Sequence, residues 1–248
     1  MRKNSLFIIL VFTLLFADFT FGQIRYGTID YEVQINIEKR FPTNNTTMRG
    51  GRGSYSQNTT PNKYLVETAT LYFTDSMSIF IVNPLENPND QRKTFTTSTQ
   101  MNLINKTLKT NMNILGDNFE VSDSMPNRTW KLTNKTRTIA GVDCPQAICQ
   151  IDDSTTIYAW FYTDILPSVG PESYWGLPGA ILGLAYEDGS VTYFATKINS
   201  DFPDMSTKSV NLTSKKIYSR SSFNQEFATK YKSTERYFQL IQDVLHFF

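Results

Sequence analysis

The chain has 248 residues, 40% of them hydrophobic, and its 24 basic and 23 acidic side chains leave a formal net charge of +1. A charge so close to zero gives no electrostatic basis for binding nucleic acid or an anionic surface. The single histidine, His246, lies near the C-terminus, a poor position for a general base, which argues against Ser-His-Asp and Cys-His catalysis. One histidine and two cysteines are also too few for the roughly four ligands of a structural zinc site. No catalytic, cofactor-binding or metal-binding residue is therefore predicted.

Residues 1–22 have the three-part pattern of a secretory signal peptide. Residues 2 and 3 are basic, Leu6–Phe16 is an apolar run too short to span a bilayer, and Thr20 and Gly22 are small residues at the −3 and −1 positions. A retained membrane anchor is the alternative, which Asp18 disfavours. Cleavage before Gln23 is expected, and it leaves 22 basic and 22 acidic residues of the original 24 and 23. The mature chain is predicted to be extracytoplasmic (periplasmic, at the outer-membrane periphery, or secreted) and to keep no transmembrane helix.

Residues 23–248 are predicted to form one β-rich domain. Ile24–Glu38 alternates apolar and polar residues, which is typical of a strand with one solvated face. Residues 41–63 are rich in Asn, Thr, Gly and Ser and are predicted to form a long polar loop. Further strands are predicted at Tyr64–Val82 (a pair around Thr74-Asp75-Ser76), Lys93–Asn105, Leu108–Val121, Trp130–Thr133 and Thr136–Gly141.

The stretch Trp160–Tyr186 is the centre of the sequence pattern. Thr156–Tyr162 and Ala180–Tyr186 are β-branched, aromatic and apolar, and are predicted as strands. Pro178 and Gly179 suit the second and third positions of a type II turn, because proline fixes φ and glycine accepts a positive φ. Glu187-Asp188-Gly189-Ser190 predicts a hairpin turn before a returning strand, Val191–Ile198. The pattern favours a buried corner between strands, and a ligand-binding loop is the alternative.

Cys144 and Cys149 are predicted to form a disulfide, because two cysteines in an exported chain favour pairing. On a straight strand, residues five apart face opposite sides and lie about 16 Å apart, whereas a disulfide needs Cα atoms closer than about 7 Å. The bond therefore requires a turn, which Pro145 could begin. In the alternative, Gln146–Ile151 is a straight strand and Cys149 is a small core side chain.

The C-terminal segment changes from a period of two to helical spacing. Ser222–Gln225 resembles a capping box, and apolar residues between Tyr237 and Phe248 recur at helical intervals. One or two helices are predicted within residues 222–248, packed on the sheet or, alternatively, binding a partner. Because the connections are too short for βαβ crossovers, the fold is predicted to be mainly β (α+β) with an antiparallel sheet. Its predicted core comprises Tyr31, Val33, Ile35, Leu71, Phe73, Trp130, Trp160 and Leu182.

The central stretch also carries a family resemblance. Gly176-Leu177-Pro178-Gly179-Ala180-Ile181-Leu182, preceded by Gly170-Pro171 and Ala159–Pro167, resembles the GLPGLI family of exported proteins from Bacteroidetes-type bacteria, which is named for this motif. The resemblance extends upstream through Trp130-Lys131-Leu132 and Ile139–Cys144, and departs at Ala180, where the name motif has leucine. The residues that carry the motif are Trp160, Gly170, Pro171, Gly176, Leu177, Pro178, Gly179, Ala180 and Ile181.

The resemblance implies a compartment and a fold, and no particular reaction. Members of the family look like curved antiparallel sheets of the kind found in lipoprotein-carrier folds. Their genes often lie near those of outer-membrane transporters, and this is the pointer to a partner.

The sequence therefore favours a non-enzymatic cell-envelope scaffold. We expect it to bind an outer-membrane transporter, another envelope protein or an apolar ligand. A carboxylate-dependent glycan hydrolase is the alternative, and it would need two carboxylates about 5–9.5 Å apart in a cleft. The candidates for that pair are Asp152, Asp153, Asp164, Glu172, Glu187 and Asp188.

Overall fold

The computed structural model describes residues 22–40, 64–83, 96–114, 116–153, 155–206, 208 and 216–231. The expected signal peptide up to residue 21, the expected polar loop 41–63, and residues 232–248 lie outside these ranges. The described strands are β1 (Gly27–Asn36), β2 (Tyr64–Phe73), β3 (Met77–Val82), β4 (Thr96–Asn102), β5 (Thr107–Ile114), β6 (Asp117–Ser124), β7 (Lys131–Ile139), β8 (Val142–Gln150), β9 (Thr156–Tyr162), β10 (Ala180–Tyr186), β11 (Val191–Asn199) and β12 (Ile217–Tyr218), and the helices are α1 (Ile37–Arg40) and α2 (Arg220–Tyr231).

All twelve strands belong to one open sheet in the order β12-β6-β5-β4-β3-β2-β1-β11-β10-β9-β8-β7. Every pairing between these strands is antiparallel except the short one between β12 and β6. The prediction of a mainly β fold with an antiparallel sheet is confirmed. Among the described residues, no helix is long and apolar enough to cross a bilayer.

Strand β1 lies in the middle of the sheet, between β2 and β11. Its alternating sequence buries one row of side chains, and Tyr31 and Val33 in that row are at most 1% exposed. Edge-to-face contacts join Tyr31 to Phe80 and Phe80 to Tyr193, with ring centroids 6.1 and 6.3 Å apart. The core of the sheet is therefore built around aromatic rings on one face.

Most of the predicted core is confirmed, and its two tryptophans are the exceptions. The buried members are Tyr31, Val33, Ile35, Leu71, Phe73 and Leu182. Trp130 and Trp160 are only half-buried. Trp160 alternates with the buried residues Ala159 and Phe161, so its side chain lies on the opposite face of the sheet.

The turn expected between the two cysteines is wrong, because β8 is continuous from Val142 to Gln150. Cys144 pairs with Arg137 of β7, and Cys149 pairs with Ile157 of β9. Both are buried free thiols, so the disulfide prediction is corrected. Pro145 fits in this strand because it lies where the register of β7 shifts, and proline is tolerated at such irregularities.

The C-terminal helix begins slightly earlier than expected. The amide of Ser222 donates a 3.3 Å hydrogen bond to Oγ of Ser219, so Ser219 acts as the N-cap and Ser222 lies inside the helix. Phe223 and Phe227 pack on Phe119 of β6, with ring centroids 5.3 and 6.0 Å away. The helix therefore docks on the sheet, as one of the two alternatives predicted.

Candidate functional site

Most of the family motif lies in residues 163–179, which connect β9 to β10 and are called here the covering segment; Trp160 lies in β9, and Ala180 and Ile181 begin β10. Backbone hydrogen bonds attach it at both ends: Leu166 donates to Ile24 at 2.9 Å, and Ile181 donates to Val169 at 2.8 Å. Val169 and Tyr174 are fully buried and belong to the main core cluster. The covering segment is thus an integral part of the core.

Two glycines of the motif are required by close backbone contacts. A Cβ at Gly179, where φ is +134°, would lie 2.2 Å from the carbonyl oxygen of Tyr162. A Cβ at Gly170 would lie 2.7 Å from the carbonyl oxygen of Tyr174. The positive φ predicted at Gly179 is confirmed. The turn differs from the expected type II, because the Gly179 amide bonds to the Leu177 carbonyl at 2.8 Å, closing a γ-turn around Pro178.

The other motif residues also have structural roles. The Pro171 carbonyl accepts the Tyr174 amide at 3.1 Å, and the Gly176 amide donates to Ser168 Oγ at 2.6 Å. Ala180 and Ile181 begin β10 opposite Tyr162 and Phe161, and Leu177 is buried. Trp160 is the member that stands apart, on the other face beside Phe194. The motif is therefore a packing corner in the sense that the sequence favoured.

Polar side chains of the sheet meet the covering segment in the interior. The Tyr193 hydroxyl of β11 donates a 2.7 Å hydrogen bond to Oε1 of Glu172, which is buried and has a φ of +53°. The hydroxyls of Tyr174 and Tyr186 lie 3.2 Å apart. Burial raises the pKa of the Tyr174 phenol, so it stays neutral. The carboxylate and the phenols therefore fix the segment to β10 and β11.

Arg128 also holds the covering segment. It lies in the connection 125–130 between β6 and β7, and its guanidinium donates to the carbonyl and Oγ of Ser173 at 2.7 and 3.0 Å. The same group stacks 4.3 Å from the ring of Tyr174. Burial lowers the pKa of Arg128, while the Tyr174 and Tyr186 phenols act in the opposite direction.

Two tryptophans join the same connection to the covering segment through reciprocal bonds. The Trp130 indole donates to the Trp175 carbonyl at 2.9 Å, and the Trp175 indole donates to the Pro126 carbonyl at 2.7 Å. Trp175 also packs against Met101 and Leu108, which belong to β4 and β5. The segment thus contacts strands from both halves of the sheet.

The carboxylates considered for hydrolysis lie in different surroundings. Glu172 is buried, Asp152 is half-buried, and the other four are exposed. Tyr158 donates to Glu187 at 2.9 Å and Tyr162 donates to Asp164 at 2.8 Å. These tyrosines are four residues apart on one strand, a spacing of about 13 Å, which places the two carboxylates near opposite ends of β9. Within the described ranges, no group of three or more His, Cys, Asp or Glu side chains could hold a metal ion.

Sequence reasoning missed several residues of this polar cluster. Tyr186 and Tyr193 were assigned to strands, but alternation alone does not reveal that their hydroxyls meet the covering segment. Arg128 lies in an irregular connection with no periodic signal. Glu172 was noted only as one acidic residue among six.

The comparisons with known proteins agree with this placement of the motif. A family model described as "Protein of unknown function (Porph_ging)" matches residues 149–183, from the end of β8 to the middle of β10. No curated protein matches the chain.

Solved structures resemble this chain at low sequence identity. PNGF-II in the C2 space group is 16% identical over 79% of this chain and 31% of its own, with a TM-score of 0.51. PNGF-II in the P21 space group is 16% identical over 84% of this chain and 32% of its own, with a TM-score of 0.48. An uncharacterized conserved protein from Thermus thermophilus is 7% identical over 78% of this chain and 90% of its own, with a TM-score of 0.39. The chain spans about a third of PNGF-II, and the likeness concerns the fold alone.

Proposed function

We propose that this chain is an exported, non-enzymatic scaffold of the bacterial cell envelope that binds an envelope partner through its exposed surface. The observation that carries this proposal is that the interior of the protein holds the covering segment in place. Its buried carboxylate, Glu172, is held by the Tyr193 hydroxyl, and its backbone is held by Arg128. A segment fixed in this way serves packing, which supports a scaffold better than a reactive loop.

A curved sheet around the covering segment is part of the proposal. From Ser124 of β6 to Lys131 of β7 the chain has seven peptide units, which reach about 25 Å when fully extended. In a flat sheet these strands would lie ten spacings apart, or about 48 Å. This difference in length supports a sheet that bends to bring β6 towards β7. Leu103 supports this geometry, because it packs against the main core and also against the cluster that contains Trp175.

The packing of the interior favours a protein partner over an apolar ligand. Val169, Tyr174 and Leu177 of the covering segment belong to the same buried cluster as Tyr31 and Tyr193. An apolar ligand would have to displace these side chains and break the hydrogen bonds beneath them. Partner binding at the exposed surface has no such cost.

Export completes the proposal and rests on the sequence pattern before Gln23. The expected cleavage would keep Ile24, whose amide donates to the Asp164 carbonyl at 2.8 Å, within the mature chain. The first contact with the covering segment would then follow the cleavage site directly.

The test is affinity capture of the native protein from envelope extracts, followed by mass spectrometry of proteins and lipids. We expect specific envelope proteins to co-purify with the wild type. A stoichiometric lipid without a protein would contradict the proposal and favour an apolar ligand.

The glycan hydrolase remains as a second candidate because Glu172 is a buried carboxylate. A panel of glycans incubated with the wild type and with Glu172→Gln tests it. Hydrolysis by the wild type that is lost in a folded Glu172→Gln variant would replace the scaffold proposal. The absence of turnover by either protein is the expected result.

A further inference from the structure

Strand β7 is an exposed, positively charged strand at one edge of the sheet. It is the last strand in the sheet order and pairs with β8 on one side, and no described strand lies on its other side. Seven of its nine residues are exposed. It carries Lys131, Lys135 and Arg137, and it has no acidic residue. The side chains of these three cations form no ion pair or hydrogen bond with any residue in the described part of the chain.

Arg137 is held in place by aromatic rings. Its guanidinium lies 4.1 Å from the ring centroid of Phe194 and 5.6 Å from that of Trp160. Gly183 lies opposite both aromatic residues, and a Cβ there would come within 2.9 Å of the Phe194 ring. Stacking restrains the guanidinium while leaving its in-plane N–H groups available for a carboxylate.

Several kinds of partner could pair with an open strand edge, and the positive charge of β7 favours one of them. Edge strands offer backbone groups to extended peptides, so a peptide segment fits the geometry. A second copy of β7 would bring three cations against three cations, which opposes self-pairing. Nucleic acid is disfavoured by the mature charge balance of 22 basic and 22 acidic residues, obtained from 24 and 23 after loss of the signal peptide. An acidic extended segment is the complementary partner.

The irregularity in β7 limits where such a segment can pair. The register shifts between Leu132 and Thr136, and edge strands use such bulges to avoid uncontrolled pairing. Thr136–Ile139 pair regularly with β8 and contain Arg137. Leu132, which is 60% exposed, lies beyond the shift and offers an apolar contact.

We propose that β7 docks an extended acidic segment of a protein partner, with one carboxylate bound to Arg137. The inference rests on the proposed scaffold function and names the surface and the chemistry of its partner. Lys135 and Lys131 add electrostatic attraction along the same edge.

The test uses a fluorescein-labelled peptide of four Glu-Thr repeats and measures its affinity by fluorescence anisotropy at low salt. We expect the wild type to bind it, and Arg137→Gln to weaken binding about tenfold, the loss of one charge-assisted contact. Lys197→Gln is the matched control, since it removes one exposed cation from β11 without touching β7. A second peptide, with proline at its centre, should bind more weakly because it cannot pair along the edge.

The possible outcomes distinguish a failure of the proposed β7 surface from a failure of the proposed scaffold function. Equal losses in Arg137→Gln and Lys197→Gln, or equal binding of the proline peptide, would overturn the proposed surface. If Arg137→Gln fails to fold, Lys135→Gln takes its place because Lys135 contacts no aromatic ring among the described residues, and an unchanged affinity there overturns the proposed edge. Envelope partners still captured by a folded Arg137→Gln variant would also reject this surface and leave the scaffold function standing. No capture by the wild type would reject the scaffold function.

Discussion

Tyr193 in β11 donates a 2.7 Å hydrogen bond to Glu172, a carboxylate that is only 2% exposed. A buried carboxylate needs such donors, because leaving it without them costs several kcal/mol (roughly 2–7 for a polar group without a partner). The bond connects the middle of the sheet to the covering segment at a residue whose φ is +53°. The position of the motif therefore depends on a side chain 21 residues further along the chain than Glu172.

Removing that hydroxyl should destabilise the fold. Tyr193→Phe leaves the buried Glu172 with one donor fewer, and we expect the free energy of unfolding to fall by about 1–3 kcal/mol. Urea denaturation followed by tryptophan fluorescence measures the change. Tyr158→Phe is the control, because its hydroxyl bonds the exposed Glu187, and a clearly smaller loss of stability is expected there. Similar losses in the two variants would show that the buried bond has no special role.

Gly179 should tolerate no side chain. Gly179→Ala adds a Cβ that would lie 2.2 Å from the Tyr162 carbonyl oxygen, at a φ of +134°. We expect a loss of about 3 kcal/mol or more, from overpacking and backbone strain together. The measurement is again the urea midpoint and slope.

Gly141→Ala is the control for that substitution. Gly141 also has a positive φ, +82°, but a Cβ there would meet nothing within 4 Å. Its expected loss is about 1–2 kcal/mol, from strain alone. If both alanine variants lost the same stability, the contact with Tyr162 would not explain the glycine.

The two cysteines should be reduced in the native protein. Unfolding without reductant in the presence of iodoacetamide should add two carbamidomethyl groups to the intact mass, because Cys144 and Cys149 are free thiols five residues apart on the continuous strand β8, a distance of about 16 Å. Protein purified from the envelope is the sample to use. If the intact mass showed no alkylation, the two cysteines would be joined in a disulfide after all.

Stability should fall on the alkaline side, in part because of Cys144. Burial raises the pKa of its thiol from 9.0 to about 11. Below pH 9.0 the thiol is protonated in both the folded and the unfolded state. Between pH 9.0 and about 11 the unfolded chain loses the proton while the folded chain keeps it. The free energy of unfolding therefore falls as the pH rises through this range. Urea titrations at pH 8, 9 and 10 should show a smaller decline in Cys144→Ala. An identical decline in both proteins would remove Cys144 as a cause.

The native protein should begin at Gln23. Edman sequencing or N-terminal peptide mass spectrometry of protein from the envelope fraction tests this expectation, which rests on the basic, apolar and small-residue pattern of residues 2–22. A sequence beginning at Met1, or recovery from the cytosol, would contradict export.

The sequence predicted the strands well where one kind of local pattern continued without interruption. Thr156–Tyr162 and Ala180–Tyr186 match β9 and β10 in both bounds, because β-branched, aromatic and apolar residues fill them without interruption. The hairpin at Glu187–Ser190 also formed, with Gly189 at a φ of +68°. In each case the neighbouring residues contain enough information to fix the local backbone.

Prediction failed where a distant contact overrode a local signal. Pro145 suggested a turn, but pairing of β8 with strands on both sides keeps it extended. A local turn was also missed: Leu108–Val121 was assigned as one strand and forms β5 and β6, which pair as a hairpin. The cluster of Glu172, Tyr193 and Arg128 depends on long-range geometry that periodicity does not contain.

The position of β1 has a consequence for the kinetics of folding. Thr28 pairs with Asn199, so the central seam of the sheet joins residues near opposite ends of the described chain. Contacts of such long sequence separation require a large loop to close first, and proteins dominated by them fold slowly. During synthesis, the β2–β6 meander could form early, whereas β1 would lack its second neighbour until β11 had emerged from the ribosome. A late-closing seam of this kind keeps a nascent chain open for longer, which would leave time for the proposed export to precede folding.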